Sequence, residues 1–277
     1  MTRLTTNDIA GITKNLEMYD DRLRAQTGRT LKGIACLSVG IGEDDLSALK
    51  GAVRVAVIPL SCGKGIIRDF SETVAGIIKH LGFPVFVADG SDVVSMVDAC
   101  HRQADILFMA DESRFVAIDL HNRCVIDNAE ITGRGFAVGL ALMVGSLIGK
   151  KVLVIGCGAV GSAAANSLLS LGADVAVYDE NTSPIQALAQ QTGNTIKVES
   201  NLDAALRHYD LIIDASPATD IIGITHIDEN TFVAAPGMPC GTTDAAAEKL
   251  NHRLLHDPLQ IGVACMLVNA IKRYINT

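Results

Sequence analysis

The stretch from Lys151 to Glu180, KVLVIGCGAVGSAAANSLLSLGADVAVYDE, constrains the fold of this 277-residue chain more than any other part. Its apolar, β-branched run from Val152 to Ile155 is typical of a strand buried on both faces of a parallel sheet. The spacing G-x-G-x-x-G follows and opens a helix of small residues, and a second strand from Asp174 to Tyr178 ends in an acidic residue. Strand, glycine-rich turn, helix, strand and acid in this order predict a βαβ unit that binds a dinucleotide.

The three glycines of this motif have separate expected roles. Gly156 makes the tight turn, Gly158 lets the backbone approach a pyrophosphate, and Gly161 lets the helix pack closely on the strand. The backbone N–H groups of Ala159 and Val160, in the first turn of the helix, are predicted to hold the phosphates. A single G-x-G-x-x-G is also found in strand-to-helix turns that bind nothing, so the prediction depends on the whole unit.

Asp179 follows the second strand, eighteen residues beyond Gly161, where a ribose-binding acid is expected. Its carboxylate would accept hydrogen bonds from a ribose diol and would repel a 2′-phosphate. Residues 180–183 supply no arginine to neutralise such a phosphate. The sequence therefore predicts NAD rather than NADP as the cofactor.

Three later segments are expected near the nicotinamide end of the cofactor. The predicted strands Leu211 to Asp214 and Phe232 to Ala235 both end in loops at the edge where such a sheet binds its ligand. The run from Ile261 to Ile275 is apolar nearly all round, which favours a helix packed between domains. The residues predicted to contact the cofactor here are Ser216, Pro217, Pro236 and Gly262.

The first half of the chain alternates predicted strands and helices, which indicates a second, smaller α/β sheet. Thr5 and Asp8 have the spacing of a capping box, and apolar residues then recur at helical spacing. The fold class is therefore α/β, with a C-terminal Rossmann doubly wound parallel sheet plus a smaller N-terminal α/β domain that carries an N-terminal lid helix. The predicted boundaries are 1–148 for the N-terminal domain, 149–257 for the Rossmann domain and 258–277 for a helix that returns to the cleft.

Other elements of the first half are predicted from the same patterns. The predicted strands are Arg54 to Leu60, Pro84 to Ala88 and Asp105 to Met109, followed by a hairpin of Phe115 to Leu120 with Cys124 to Ile126. The predicted helices are Ser71 to Leu81 and Val93 to Arg102, and Thr132 is predicted to cap a buried helix that runs to Gly149.

Composition narrows the classes of partner. A net charge of −8 gives no basic surface for nucleic acid or an anionic membrane. The longest apolar run, 135–149, is shorter than the ~20 residues of a membrane span. Seven scattered cysteines without a C-x-x-C pair argue against disulfides and against a metal site. With no visible export signal, the expected location is the cytoplasm; whether two copies form a homodimer stays open.

Asp111 is the main candidate for chemistry. It lies just past the predicted strand Asp105 to Met109, at the edge where ligands bind in open α/β sheets. A carboxylate at this place can bind a cationic amine or exchange a proton, although an aspartate in a turn often only caps it. Weaker candidates of suitable chemistry, without a recognisable partner motif, are Cys62, Lys64, His121 and His208.

Several segments outside the glycine motif resemble the pyrrolysine biosynthesis family PylD. The similar segments are IPLSCGKGII from Ile58, FMAD from Phe108, APGMPC from Ala235 and PLQIG from Pro258. They occur in order over almost the whole chain. The resemblance implies an NAD-dependent enzyme that acts on 3-methyl-D-ornithyl-N6-lysine. It implies oxidation of the carbon that bears the ornithine side-chain amine, loss of ammonia, and condensation to the pyrroline ring of pyrrolysine.

The same resemblance implies roles for individual residues. Asp111 matches the family's essential acid, whereas Ser61 and Leu4, the latter on the N-terminal helix, match substrate contacts. Lys64 departs from the asparagine expected at its position, so it is left out of the site.

Two alternatives remain open from the residues alone. The chain has the layout of another NAD-dependent dehydrogenase, of the shikimate-dehydrogenase-like or amino-acid-dehydrogenase kind. A non-catalytic NAD-binding sensor would also carry the glycine motif. A sensor should bind NAD and be indifferent to loss of the Asp111 charge.

Overall fold

The computed structural model describes residues 4–275, which form two compact units. The N-terminal unit comprises Leu4–Asp21, Thr30–Ile131 and the chain from Leu259 onward, and the Rossmann unit comprises Arg22–Arg29 and Thr132–Pro258. The N-terminal unit thus contains the last helix of the chain as well as most of the residues up to Ile131, except Arg22–Arg29.

Twelve α-helices and eleven strands are found in the described residues. The helices are α1 (Thr6–Ile9), α2 (Leu16–Thr27), α3 (Leu31–Val39), α4 (Glu43–Ala48), α5 (Phe70–His80), α6 (Asp92–His101), α7 (Asn128–Val144), α8 (Ala159–Ser170), α9 (Thr182–Gln191), α10 (Leu202–Leu206), α11 (Asp244–Leu250) and α12 (Gln260–Ile275). The strands are β1 (Val55–Val57), β2 (Val85–Val87), β3 (Ile106–Ala110), β4 (Phe115–Asp119), β5 (Cys124–Asp127), β6 (Lys151–Ile155), β7 (Asp174–Tyr178), β8 (Lys197–Val198), β9 (Leu211–Asp214), β10 (Phe232–Ala235) and β11 (Leu254–His256).

The Rossmann unit is built on a six-stranded sheet in the order β11-β10-β9-β6-β7-β8, with every pair parallel. The glycine-motif strand β6 lies in the middle, and the strand order runs outward from it in both directions. In such a sheet ligands bind beyond the carboxyl ends of the strands beside this switch point. Residues 152–155 of β6 are buried, as the apolar run predicts. The predicted α/β class and Rossmann sheet are confirmed.

The N-terminal unit contains a five-stranded mixed sheet in the order β2-β1-β3-β4-β5. The first three strands in this order are parallel, whereas β4 and β5 form an antiparallel hairpin on β3. Helix α12 belongs to this unit, and it is buried along eleven of its residues because apolar side chains surround it. Its Cys265 Sγ lies 3.2 Å from Ser38 Oγ of α3, and Tyr274 donates to Asp119 of β4 at 3.0 Å.

Two helix predictions were wrong for local reasons. The chain after Thr5 forms α1 and α2 instead of one helix, because Gly11 adopts a left-handed φ of 79° between them. The predicted inward face is nevertheless buried at Ile9, Ile12 and Leu16. Helix α7 begins at Asn128 rather than at a Thr132 cap, and Asp127 accepts from Ala129 N at 2.9 Å near its start.

The patterns after Asp179 predict helices from Ile185 to Gln191 and from Leu202 to His208 and a strand from Thr195 to Val198, which correspond to α9, α10 and β8. Four elements were missed by the sequence patterns, namely α3, α4, α11 and β11. Helices α4 and α11 are only six and seven residues long, too short to show a helical period. None of the described helices is long and apolar enough to cross a membrane.

Candidate functional site

The glycine-rich turn has the geometry of a strand that passes directly into a helix. Gly156 has a φ of 87° and its N–H donates to Tyr178 O of β7 at 2.8 Å. A Cβ at Gly161 would lie 1.8 Å from Gly156 O, so only glycine lets α8 lie this close to the turn. A Cβ at Gly158 would meet no atom within 4 Å. The space in front of Gly158 is open, and Ala159 and Val160 begin α8 directly beside it.

Asp179 reaches back from the end of β7 to this turn. Its Oδ2 accepts from Cys157 N at 2.7 Å, and its Oδ1 accepts from Asn181 N at 2.8 Å. The acid is therefore fixed beside the glycine turn, as a ribose-binding residue would have to be. Burial, with a smaller contribution from the Asp179 charge, raises the pKa of Cys157 to about 12, so this cysteine stays a thiol.

The loops after β9 and β10 are joined by a carboxylate that the sequence patterns did not single out. Asp214, the last residue of β9, is fully buried. Its Oδ1 accepts from Ser216 N at 3.1 Å and from Ser216 Oγ at 2.8 Å, and its Oδ2 accepts from Gly241 N at 3.0 Å. Pro217 is exposed beyond Ser216, and Pro236 is buried at the end of β10. The only indication of this role of Asp214 in the sequence is that an acidic residue ends an apolar strand.

Asp111 begins the turn between β3 and β4. Its Oδ1 accepts from the backbone N–H of Ser113 and of Arg114, both at 2.7 Å. Hydrogen bonds from Arg114 and then Ser113 hold the pKa of Asp111 below its ordinary value. The carboxylate is thus ionised at neutral pH, and no hydrogen bond of its Oδ2 is seen among the described residues. It is suited to attract a cation.

The loop after β1 lies directly against Asp111. A Cβ at Gly63 would lie 2.2 Å from Asp111 C and 2.1 Å from Glu112 N, so this loop touches the Asp111–Glu112 peptide. Ser61 is exposed on the same loop and donates its N–H to Asp92 Oδ1 at 3.0 Å. The structure therefore brings Ser61 and Asp111 to the same edge of one sheet. Asp92, which holds Ser61, was missed because its partner is 31 residues away.

The charges around this loop explain the state of its other polar groups. Burial lowers the pKa of Lys64, and the nearby carboxylates of Asp111 and Asp127 partly oppose this effect. The pKa of Cys62 is raised, by burial first and then by the charges of Glu112 and Asp111. Cys62 is therefore a thiol at neutral pH, which argues against a role as nucleophile.

The remaining predicted residues lie in different places. Leu4 precedes α1 and is half-buried, so the prediction that it lies on the N-terminal helix was wrong. Gly262 is buried in α12 of the N-terminal unit, whereas the other residues predicted to bind the cofactor belong to the Rossmann unit. His121 packs against the Tyr274 ring in a tilted arrangement, with ring centroids 5.7 Å apart. His208 packs against the Tyr209 ring edge to face, with ring centroids 5.0 Å apart.

Comparison with known folds identifies the architecture. The chain superposes on quinate dehydrogenase from Corynebacterium glutamicum in complex with NAD with a TM-score of 0.53 and 17% identity, covering 79% of this chain and 92% of that one. For shikimate dehydrogenase from Aquifex aeolicus the TM-score is 0.54 and the identity 15%, covering 80% and 91%. At these identities the similarity concerns the fold of a dehydrogenase.

Comparison of sequences identifies the family more specifically than comparison of folds. Residues 8–126 match the family described as pyrrolysine biosynthesis protein PylD, N-terminal domain, and residues 124–221 match the alanine dehydrogenase/PNT C-terminal domain. Pyrrolysine synthase of Methanosarcina acetivorans is 30% identical over 98% of this chain and 100% of its own length. The Methanosarcina barkeri enzyme is 29% identical over 98% of each chain. The chain is a dehydrogenase of the NAD(P)-dependent class and belongs to the family of the pyrrolysine synthases.

Proposed function

We propose that this chain catalyses the NAD-dependent last step to pyrrolysine, acting on 3-methyl-D-ornithyl-N6-lysine. The carbon that bears the ornithine side-chain amine loses a hydride and the amine a proton, which gives an imine. Water converts the imine to an aldehyde with release of ammonia. The α-amine of the same ornithine unit then condenses with the aldehyde, and water leaves as the five-membered ring closes.

The observation that carries this proposal is the ionised carboxylate of Asp111 beside the Ser61 loop, in a chain related over its length to pyrrolysine synthases. The substrate carries ammonium groups, which a carboxylate with a free oxygen attracts and orients. Asp111 is proposed as the group that holds the reacting amine and accepts its proton. Ser61 and Leu4 are proposed as substrate contacts.

The Rossmann unit supplies residues that fit a dinucleotide. The open space in front of Gly158 and the start of α8 would take the pyrophosphate, and Asp179 would take the adenosine ribose. When bound there, NAD supplies the hydride acceptor. Gly156 and Gly161 shape the turn. The loops with Ser216, Pro217 and Pro236, together with Gly262, are proposed to face the nicotinamide.

The direct test is to incubate the purified protein with NAD and 3-methyl-D-ornithyl-N6-lysine. We expect nicotinamide reduction, measured by absorbance at about 340 nm, coupled to release of one ammonia and formation of a product with the mass of pyrrolysine. Shikimate, quinate and α-amino acids serve as comparison substrates. Reduction with one of these acids and none with the ornithyl-lysine compound would instead favour the alternative dehydrogenase function.

Replacing Asp179 by alanine is expected to weaken NAD binding about tenfold and to narrow the advantage of NAD over NADP. The carboxylate provides the hydrogen bonds to a ribose diol, and its charge repels a 2′-phosphate. Calorimetric titration of each variant with NAD and with NADP measures both the loss of NAD affinity and the change in preference.

The control for this variant is Asp179→Asn, because Asp179 also accepts from Cys157 N in the glycine turn. Asparagine keeps an oxygen for that hydrogen bond and removes the charge, while its amide N–H₂ takes the place of the oxygen that accepts from Asn181 N. We expect the asparagine variant to narrow the preference for NAD while binding NAD better than the alanine variant. Unchanged affinity for both cofactors in the alanine variant would show that another residue binds the ribose.

A further inference from the structure

The buried carboxylate of Asp214 lies beneath the two loops that are proposed to hold the nicotinamide. The loop after β9 is tied to it through Ser216, and the loop after β10 through Gly241. Gly237 N also donates to the backbone O of Asp214 at 2.9 Å. The packing is tight, because a Cβ at Gly241 would lie 2.2 Å from Asp214 Oδ2. A single side chain thus fixes both loops.

The hydrogen bonds favour the ionised form of Asp214. Its three partners are two backbone N–H groups and a hydroxyl, all of which can donate, and a carboxylate accepts all three without conflict. Burial raises the pKa of Asp214, and the donors from Ser216 and Gly241 oppose that effect. No lysine or arginine forms an ion pair with this carboxylate among residues 4–275.

The charge of Asp214 is felt in the loop above it. Burial is the main cause of a raised pKa at Cys240, and the Asp214 charge raises it further. In a water-poor environment a charge acts over a longer distance than in solvent, because little dielectric screening intervenes. A ring seated on these loops would therefore lie in a negative potential.

We infer that Asp214 makes the chain bind the oxidised, cationic nicotinamide in preference to the reduced, neutral one. The inference rests on the proposed function, since it takes the loops after β9 and β10 as the nicotinamide side. A negative charge stabilises the positive ring of NAD and leaves the uncharged ring of NADH unaffected. Asp214 is then a positioning residue for the loops that also favours loading of NAD before hydride transfer and release of NADH after it, without contacting the cofactor.

The test compares the dissociation constants of NAD and NADH for the wild type and for Asp214→Asn. We expect both forms to bind more weakly to the variant, because its amide N–H₂ faces the N–H of Gly241 or Ser216. We expect NAD to lose about tenfold more affinity than NADH, which is about 1.4 kcal/mol. An equal loss of both forms would overturn the inference, because loop disorder alone does not distinguish the two rings.

The matched control is Ser216→Ala, which removes a donor to Asp214 Oδ1 and keeps the buried charge. This variant should weaken NAD and NADH by the same factor. If Ser216→Ala changed the ratio of the NAD and NADH dissociation constants as much as Asp214→Asn does, the preference could not be attributed to the charge of Asp214.

Should Asp214→Asn not fold, the wild type supplies the measurement with ADP-ribose as reference. The ring of NAD should then add more affinity over ADP-ribose than the ring of NADH, and the reverse order would overturn the inference. Failure of the wild type to bind either form would contradict the proposed cofactor and the inference with it. If the wild type binds NAD and NADH as expected but does not turn over the ornithyl-lysine compound, the inference stays intact and only the proposed substrate is contradicted.

Discussion

Asp111→Asn is expected to lower kcat/KM for the ornithyl-lysine substrate by about 10²- to 10⁴-fold, the range typical of a lost acid-base group. Asparagine keeps an oxygen that accepts from Ser113 N and Arg114 N, so the turn after β3 retains its shape. What disappears is the charge that is proposed to hold the ammonium group of the substrate. Steady-state kinetics with NAD in excess measures the effect.

Two further measurements separate this role from a general disturbance. NAD affinity of Asp111→Asn should equal that of the wild type, since the residue lies on the sheet of the other unit from the glycine turn. The adjacent, exposed Glu112 offers a control, and Glu112→Gln should change kcat/KM by less than about threefold. Full turnover by Asp111→Asn would contradict the proposed catalytic role of Asp111. NAD binding without any turnover in the wild type would favour the function of an NAD-binding sensor.

Local patterns in the sequence predicted the Rossmann unit well, because the residues that define its βαβ unit are close together in the sequence. The strand before the glycines, the turn and the acid after β7 follow one another within thirty residues, and β7, β9 and β10 have their predicted bounds. The apolar face of the N-terminal segment was also predicted, whereas its continuity was not. Gly11 ends the first helical turn there, and a single glycine in a periodic pattern does not reveal its φ.

The parts of the candidate site that were missed depend on contacts between distant residues. Asp92 holds the Ser61 loop, and Gly63 packs on the peptide after Asp111. Asp214 binds Gly241 across 27 residues of sequence. Each of these residues looks like an ordinary turn or strand-end residue by itself. Their importance arises from the order of strands in the sheets, which brings separate loops to the same edge.

Gly158→Ala is expected to weaken NAD binding by about 100-fold while changing the stability of the ligand-free protein little. Its φ of −66° suits alanine, and a Cβ there would meet no atom within 4 Å. Alanine reduces the entropy of the unfolded chain, a gain of about 0.4–1 kcal/mol, and is a poorer N-cap than glycine by a similar amount. The methyl group would instead occupy the space in which the pyrophosphate must approach the backbone.

Gly161→Ala, three residues later, should behave differently, and the pair isolates the ligand contact from the packing contact. Its Cβ would lie 1.8 Å from Gly156 O, so α8 must move away from the turn. We expect a loss of about 1–3 kcal/mol in the free energy of unfolding, as for other overpacked sites, together with weaker NAD binding. Denaturant unfolding without ligand and NAD titration give the two quantities for each variant. Normal NAD affinity in a folded Gly158→Ala protein would mean that the pyrophosphate does not lie at the start of α8, and the proposed cofactor site would have to be moved.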